Sequence, residues 1–393
     1  MIESTRYHLL QPANPSYFLL LALLLALAIV GAYCAYQLEH TGHIISGMNN
    51  RVVWGLPHVF AISLVVAASG ALNAATLSSV FDQQRYKPFA RLSVILAITL
   101  LIGGLAVLVL DLGRPDRLFI AMTTYNFRSI FSWNIFLYIG FIVVGAVYLW
   151  VMLERRLNRF TKSVAGFALL WRIILTTGTG SIFGFLVGRS ALDTAILAPL
   201  FIALSLVLGT AVFTLMLMLI NRLQGTVLSD DVLRSLGRVL IWCSLALLYF
   251  SVVQHLTNLY VAQHNVDEKF VLSGPFATLF WVGHIVIGIA LPIFLSGLRN
   301  VTDQFDAKRL AGACASALIG GMALVYVIVI GSQTTPQVLF PDKTVIASTF
   351  GDAGYASYQA SLWEWGVGLG GVSVSLLLFF LILRILPLTP QSS

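Results

Sequence analysis

The chain has 393 residues, 58% of them hydrophobic and only 10% charged, with a mean hydropathy of +0.90. That charge content, less than half the usual share, excludes a water-soluble fold, which has no way to cover so much apolar surface. The net charge of +7 is spread over short connections between apolar runs, so it reports membrane topology and offers no nucleic-acid-binding face.

Crossing a hydrocarbon core of about 30 Å takes roughly 20 apolar residues per helix, and helices satisfy their own backbone groups. Ten such runs are predicted near 17–37, 53–79, 88–110, 130–153, 163–188, 194–221, 237–261, 272–297, 308–331 and 365–386. The fold class is therefore an all-α integral membrane protein of about ten transmembrane helices. Glu3 and Arg6 are the only charges before the first run, with no basic leader or small-residue cleavage site, so that run reads as an uncleaved span.

Basic residues orient the chain. The N-terminal segment and the connections after even-numbered runs hold more than twice the Lys and Arg of the other connections, including the clusters Arg85, Lys87, Arg91 and Arg155, Arg156, Arg159, Lys162. By the positive-inside bias both termini are expected in the cytoplasm, in a bacterial inner (cytoplasmic) membrane. Arg172 falls inside the fifth run and is expected to snorkel to the inner interface.

The connection after the third run breaks this bias. LDLGRPDRLF, residues 110–119, and the following TTYNFRSIFSW bring Arg114, Arg117 and Arg128 to the outer side. As a plain turn, Asp111 and Asp116 neutralise two of these charges while Gly113 and Pro115 end the helix. As a site, the same residues close a binding pocket.

The chain has no CxxCH, glycine-rich nucleotide loop or HExxH, and its cysteines, Cys34, Cys243 and Cys314, are isolated within spans. An iron-sulfur cluster is therefore expected on a partner and not in this chain. His58 and His255 lie at similar depth near the outer ends of the second and seventh runs, and His284 near mid-span in the eighth. Intramembrane ionisable residues usually face the bundle interior. They are open to three readings: hydrogen-bonded interior residues, axial ligands of a haem b clamped by His58 and His255, or proton-exchanging partners of a quinone.

WGLPHVFAISLVVAASGALN, LAVLVLDLGRPDR and YNFRSIFSWN together resemble the NrfD and polysulfide-reductase membrane-subunit family, in which an LGRP segment with flanking charges precedes a short loop and a Ser-Trp pair. GMNNRVVWGLPHVF, YKPFARLS and TTGTGSIFGFLVGRSALDTAILAPLF are similar to its Dsr-type, sulfur-metabolism branch. The resemblance implies two four-helix bundles plus two additional C-terminal helices, divided as 1–160, 161–300 and 301–393. It also implies quinone bound near the outer face and a periplasmic ferredoxin-like iron-sulfur partner, alongside other membrane and cytochrome subunits. Many relatives carry HSxTG in the fifth helix; here the matching stretch is Thr176 to Gly180, without the His.

The residues themselves supply the parts of a redox-lipid site. A quinone head group, of menaquinone or ubiquinone, needs an apolar slot, a hydrogen-bond partner for each oxygen and a proton route to water. His58, Asp111 and Arg114 are expected to act on it, with Trp54, Tyr125, Asn126, Ser132, Trp133 and Asn134 binding it and Arg117 and Arg128 facing the partner protein. The long, weakly charged connection before the tenth run, SQTTPQVLFPDKTVIASTFGDAGYASYQASLWEW, is a second candidate platform. The rival readings are a secondary transporter, disfavoured because ionisable residues cluster toward the outer ends and not at the midplane, and an anchor without a quinone site.

Overall fold

A computed structural model describes residues 7–11, 15–297, 306–336 and 354–390. Ten of its helices are long and apolar enough to cross a membrane: α1 (Ser16–Thr41), α2 (Leu56–Ser79), α3 (Gln84–Leu110), α4 (Ile130–Leu153), α5 (Arg155–Gly184), α6 (Leu197–Gln224), α7 (Asp230–Tyr260), α8 (Leu279–Gly297), α9 (Ala307–Thr334) and α10 (Leu362–Ile385). The apolar runs thus become the expected spans. The eighth run differs: Gly274 and Pro275 break it, and a separate short helix, Asn265–Ser273, precedes α8. A matching short helix, Leu118–Thr123, lies between α3 and α4.

The two termini clasp each other. Tyr7 and His8 pair antiparallel with Pro390 and Thr389, which puts both ends on one side of the bundle, as an even number of crossings requires. The opposite end, which carries Asp111, is termed outer after the charge bias.

Helices α2 and α6 are the shared centre. At their crossing a Cβ on Gly209 would lie 1.9 Å from the Gly70 carbonyl carbon, so the two backbones touch and no side chain fits between them. The C-terminal pair is woven into both parts of the bundle: α9 packs on α6, α8 and α2, while α10 lies against α1, α2 and α3. α1 meets the rest chiefly through α10.

Arg172 does not snorkel. It is buried where α2 is interrupted at Leu72, and its guanidinium donates to the Ser69 carbonyl (3.1 Å) and to Asn73 Oδ1 (2.6 Å). At this break the Ser69 carbonyl and the Asn73 side chain satisfy a cation that would otherwise need the interface.

Candidate functional site

The α3 helix ends at Asp111, followed by Gly113 in the left-handed region (φ 67°) and Pro115, which opens a short 3-10 turn. The helix-ending role foreseen for these residues holds. Helix α2 starts with Pro57 in its first turn, where a missing N–H costs nothing, so His58 stands at the outer tip of a rigid span.

There the two meet. His58 Nδ1 lies 2.5 Å from Asp111 Oδ2, a close charge contact without aligned hydrogen-bond geometry, and the Asp111 carboxylate has no other partner among the described residues. The expectation that Asp111 pairs with Arg114 or Arg117 is corrected. Arg114 is instead held by Asp116 through two parallel bonds, Nε to Oδ1 at 3.0 Å and NH2 to Oδ2 at 2.9 Å, and both side chains are exposed. A neighbour two residues away on the same turn is within easy reach, whereas Asp111 has turned inward beneath the helix end.

Beside the pair opens a cavity of about 580 Å³. Its wall is almost wholly apolar, from Ile62, Leu105, Leu108, Ile135 and Ile182 among others, with Trp54, His58, Asn134 and Tyr138 inside and Arg114 and Arg117 among the residues around it. His58 uses Nδ1 toward Asp111, so Nε2 is the ring nitrogen left for a ligand. Trp54 stacks on His58 (5.9 Å between ring centres) and meets Phe131 and Phe183 edge-on. The Asn134 amide donates to the carbonyls of Ile130 and Gly178, while its buried Oδ1 has no partner.

Several expected binding residues fall outside this cavity. Phe131, Asn134, Ile135 and Tyr138 share one face of α4 by their three- and four-residue spacing, and Ser132 and Trp133 lie off that face. Trp133 is half-exposed and donates to the Phe127 carbonyl. Tyr125 packs on Phe136 at 4.5 Å, and Asn126 Oδ1 accepts from the Arg128 backbone N–H in a local turn. Arg128 is exposed there, as a docking residue would be. Arg117, assigned to docking as well, borders the cavity.

Sequence reasoning missed the residues that brace the site. Gln333, at the outer end of α9, accepts from the backbone N–H of Val53 and Trp54 (2.9 and 3.0 Å) and donates to the Trp54 carbonyl (2.9 Å). Glu364, fully buried at the start of α10, accepts from Gly47 N–H, Ser361 N–H and the Tyr358 hydroxyl, which in turn accepts from Leu56 N–H, the first residue of α2. The capping spacing Ser361-x-x-Glu364 was a readable sign of the second brace. Of the long connection proposed as a platform, residues 337–353 lie outside the described residues; its described end packs on the α1–α2 connection through Ser357 and Gly354.

The two histidines of the haem reading line different pockets. His255 contacts Glu268 and lines a separate space of about 20 Å³, whereas His58 lines the large cavity; the two spaces lie on different sides of α9. His284 is bound by Ser251 (3.1 Å), the interior-residue reading.

The family described as "Polysulphide reductase, NrfD" matches residues 45–337, about three quarters of the chain and both His–carboxylate pairs. The chain belongs to the NrfD family. Among similar proteins is an Hdr-like menaquinol oxidoreductase integral membrane subunit of Archaeoglobus fulgidus, 27% identical over 379 residues, covering 95% of this chain and 94% of that protein. The C subunit of polysulfide reductase from Wolinella succinogenes is 25% identical across 72% of this chain and 96% of its own length. The menaquinone reductase integral membrane subunit of Nitratidesulfovibrio vulgaris is 24% identical across 92% and 90%. In this NrfD-family protein the Thr176–Gly180 stretch lies on α5 behind the cavity, where Gly178 supplies the carbonyl that orients Asn134.

Proposed function

We propose that the chain is the quinone-interacting membrane subunit of a multisubunit redox complex, binding the head group in the cavity beside His58 and Asp111. One observation carries this: an apolar cavity large enough for a quinone ring, with His58, backed by Asp111, on one wall, the Asn134 amide with an unpartnered oxygen on another, and Tyr138, Arg114 and Arg117 around it. Relatives named for menaquinol and menaquinone agree with it.

Quinol oxidation releases two electrons and two protons. His58 Nε2 takes a hydroxyl proton, and Asp111 fixes the opposite nitrogen and stabilises the imidazolium that forms. Asn134 Oδ1 accepts a hydrogen bond from the other hydroxyl, whose proton follows through His58 once the pair has passed the first to outer water. The electrons pass to an iron-sulfur cluster on a ferredoxin-like periplasmic subunit docked at Arg128, and in quinone reduction the same groups return the protons. A Dsr-type complex with cytochrome subunits, an inner-membrane location and cytoplasmic termini complete the reading.

Trp54 provides the test. A short-chain menaquinol analogue is expected to quench tryptophan fluorescence saturably in the purified protein, and more weakly in His58→Ala and Asp111→Asn. A wild-type protein that shows no saturable quenching leaves the anchor reading in its place.

A further inference from the structure

The inner end of the α4–α5 hairpin holds charge that the quinone reading does not use. α5 opens as a 3-10 turn, Arg155–Phe160, before it continues as an α-helix. Residues three apart eclipse in such a turn, so Arg156 and Arg159 project from one edge, about 6 Å apart along it. Both are exposed, as is Arg155. Glu154, the carboxylate next to them in sequence, is bent back onto the turn's own backbone and accepts from the Arg156 N–H (3.2 Å), while Lys162 is paired with Asp82 (2.8 Å).

The positive-inside bias accounts for cations at this end of the bundle, but not for leaving their heads without partners. Several others are engaged. Arg91 donates to the Met152 carbonyl (2.6 Å) and lies over the Tyr7 ring, Arg384 donates to the Leu10 carbonyl (3.0 Å), and Arg234 and Arg309 face Asp230 and Asp306. Among the described residues the Arg155 and Arg156 guanidiniums have no such partner, and Arg159 has only an aromatic ring, with its guanidinium carbon 4.7 Å from the centre of Phe160.

That ring is where the charge meets the apolar surface of the hairpin. Phe160, Phe167 and Trp171 share one face of α5 by their helical spacing; Phe160 and Phe167 are exposed, and Phe167 packs on Trp171 at 5.7 Å. Trp171 reaches across to α4, where it donates to the Leu137 carbonyl (3.1 Å) and covers Gly140, whose Cβ position lies 2.1 Å from its ring. From this contact toward the inner end, α4 carries Val143, Val147 and Trp150 on the face that Gly140 begins, and all three are exposed. Two exposed apolar rows, one on each helix, therefore run from Trp171 to the boundary where Arg156 and Arg159 stand.

We propose that this surface binds one anionic phospholipid, with its phosphodiester between Arg156 and Arg159 and its acyl chains on the α4 and α5 rows. A soluble anion satisfies the arginines and leaves the apolar rows unused. A zwitterionic lipid fits the rows but brings a cation of its own to an already positive turn. An anionic lipid alone matches both halves of the surface. The site lies at the opposite end of the hairpin from the quinone cavity and stands whether or not quinone binds there.

The test titrates the purified, delipidated full chain in detergent with fluorescent phosphatidylglycerol, and with phosphatidylcholine as the zwitterionic comparison. Each arginine beside an anionic headgroup is worth roughly five-fold in affinity, so wild type should prefer phosphatidylglycerol and Arg156→Gln/Arg159→Gln should weaken its binding by about twenty-fold. Arg85→Gln/Lys87→Gln removes the same charge from another connection at this end and is expected to cost no more than a few-fold. Equal losses in the two double variants would reduce the effect to overall surface charge and overturn the site. Equal affinity of wild type for the two lipids overturns it too and leaves the arginines to an acidic soluble partner. Inorganic phosphate that displaces the lipid fully, beyond chloride at the same ionic strength, would mean an anion site without a lipid. Arg156→Lys/Arg159→Lys keeps the charge and guards against a folding effect: its binding should lie within a few-fold of wild type, and binding as weak as in the glutamine variant overturns recognition by charge.

Discussion

The two His–carboxylate pairs share chemistry and differ in what can reach them. His58–Asp111 borders about 580 Å³ of apolar space, whereas His255–Glu268 faces about 20 Å³ walled in part by α9. Identical donor and acceptor groups therefore serve a lipid-soluble substrate in one place and at most water in the other. Access, set by which helix packs alongside, decides function more than the identity of the pair. Glu268 also has Asn258 as a second partner, while Asp111 has His58 alone among the described residues. The better-satisfied pair is the one beside the small space, and the substrate-facing pair keeps spare hydrogen-bonding capacity.

The largest effect should come from removing the proton acceptor on the open side. His58→Gln is expected to slow quinol-dependent reduction of the assembled complex by roughly a hundredfold or more, the usual worth of a positioned general base, while analogue binding falls much less. Equal losses in Glu268→Gln would erase the distinction between the pairs.

The next largest tests whether the first site can be loosened alone. Glu364→Ala leaves Gly47 N–H, Ser361 N–H and the Tyr358 hydroxyl without their buried acceptor, at a cost of about 3 kcal/mol or more. Thermal unfolding in detergent should show the loss. Because this network holds the start of α2, analogue binding should weaken as well.

A smaller effect should strike both sites alike. Gly209→Ala puts a methyl group into the Gly70 backbone at the α2–α6 crossing, and overpacking of this kind costs about 1–3 kcal/mol. A lower unfolding temperature is expected, with analogue quenching weakened alongside it. An unchanged unfolding temperature would mean that the crossing can open to admit the methyl group.

Much of the open site was legible from spacing and hydropathy, and most of the closed one was not. Trp54, His58, Asp111 and Asn134 stood out as polar residues at the outer ends of apolar runs, and each lies in or against the cavity. Tyr138 was hidden because a tyrosine within an apolar run reads as packing, although its four-residue step from Asn134 puts it on the same face. Glu268 gave no sign in the sequence of belonging to a site. Its burial depends on a short helix folding back over α7, a long-range event that one sequence does not reveal. The same holds for Gln333, which reads as a helix-end residue until α9 is seen packed beside Trp54. Insertion of α10 between α1 and the α2–α3 pair is likewise a matter of packing choice among runs of nearly equal hydropathy.

The smallest effect concerns the charges that drew attention first. Asp116→Asn frees Arg114, whose guanidinium is engaged by Asp116 beside the cavity and not by Asp111. Both groups are fully exposed, so salt screens the pair and its loss should barely change stability. Its pH dependence follows from the hydrogen bond donated by Arg114, which holds the Asp116 carboxyl below its usual range. A carboxylate lowered in the folded state contributes above its unfolded value, near 3.8, and loses that contribution only as pH falls through the folded one. Between about pH 5 and pH 8, where histidine titrates, the Asp116→Asn change in analogue affinity should therefore be flat, small and reduced by salt. A pH-dependent Asp116→Asn effect there would mean that Arg114, which lines the cavity, also acts on the His58–Asp111 pair.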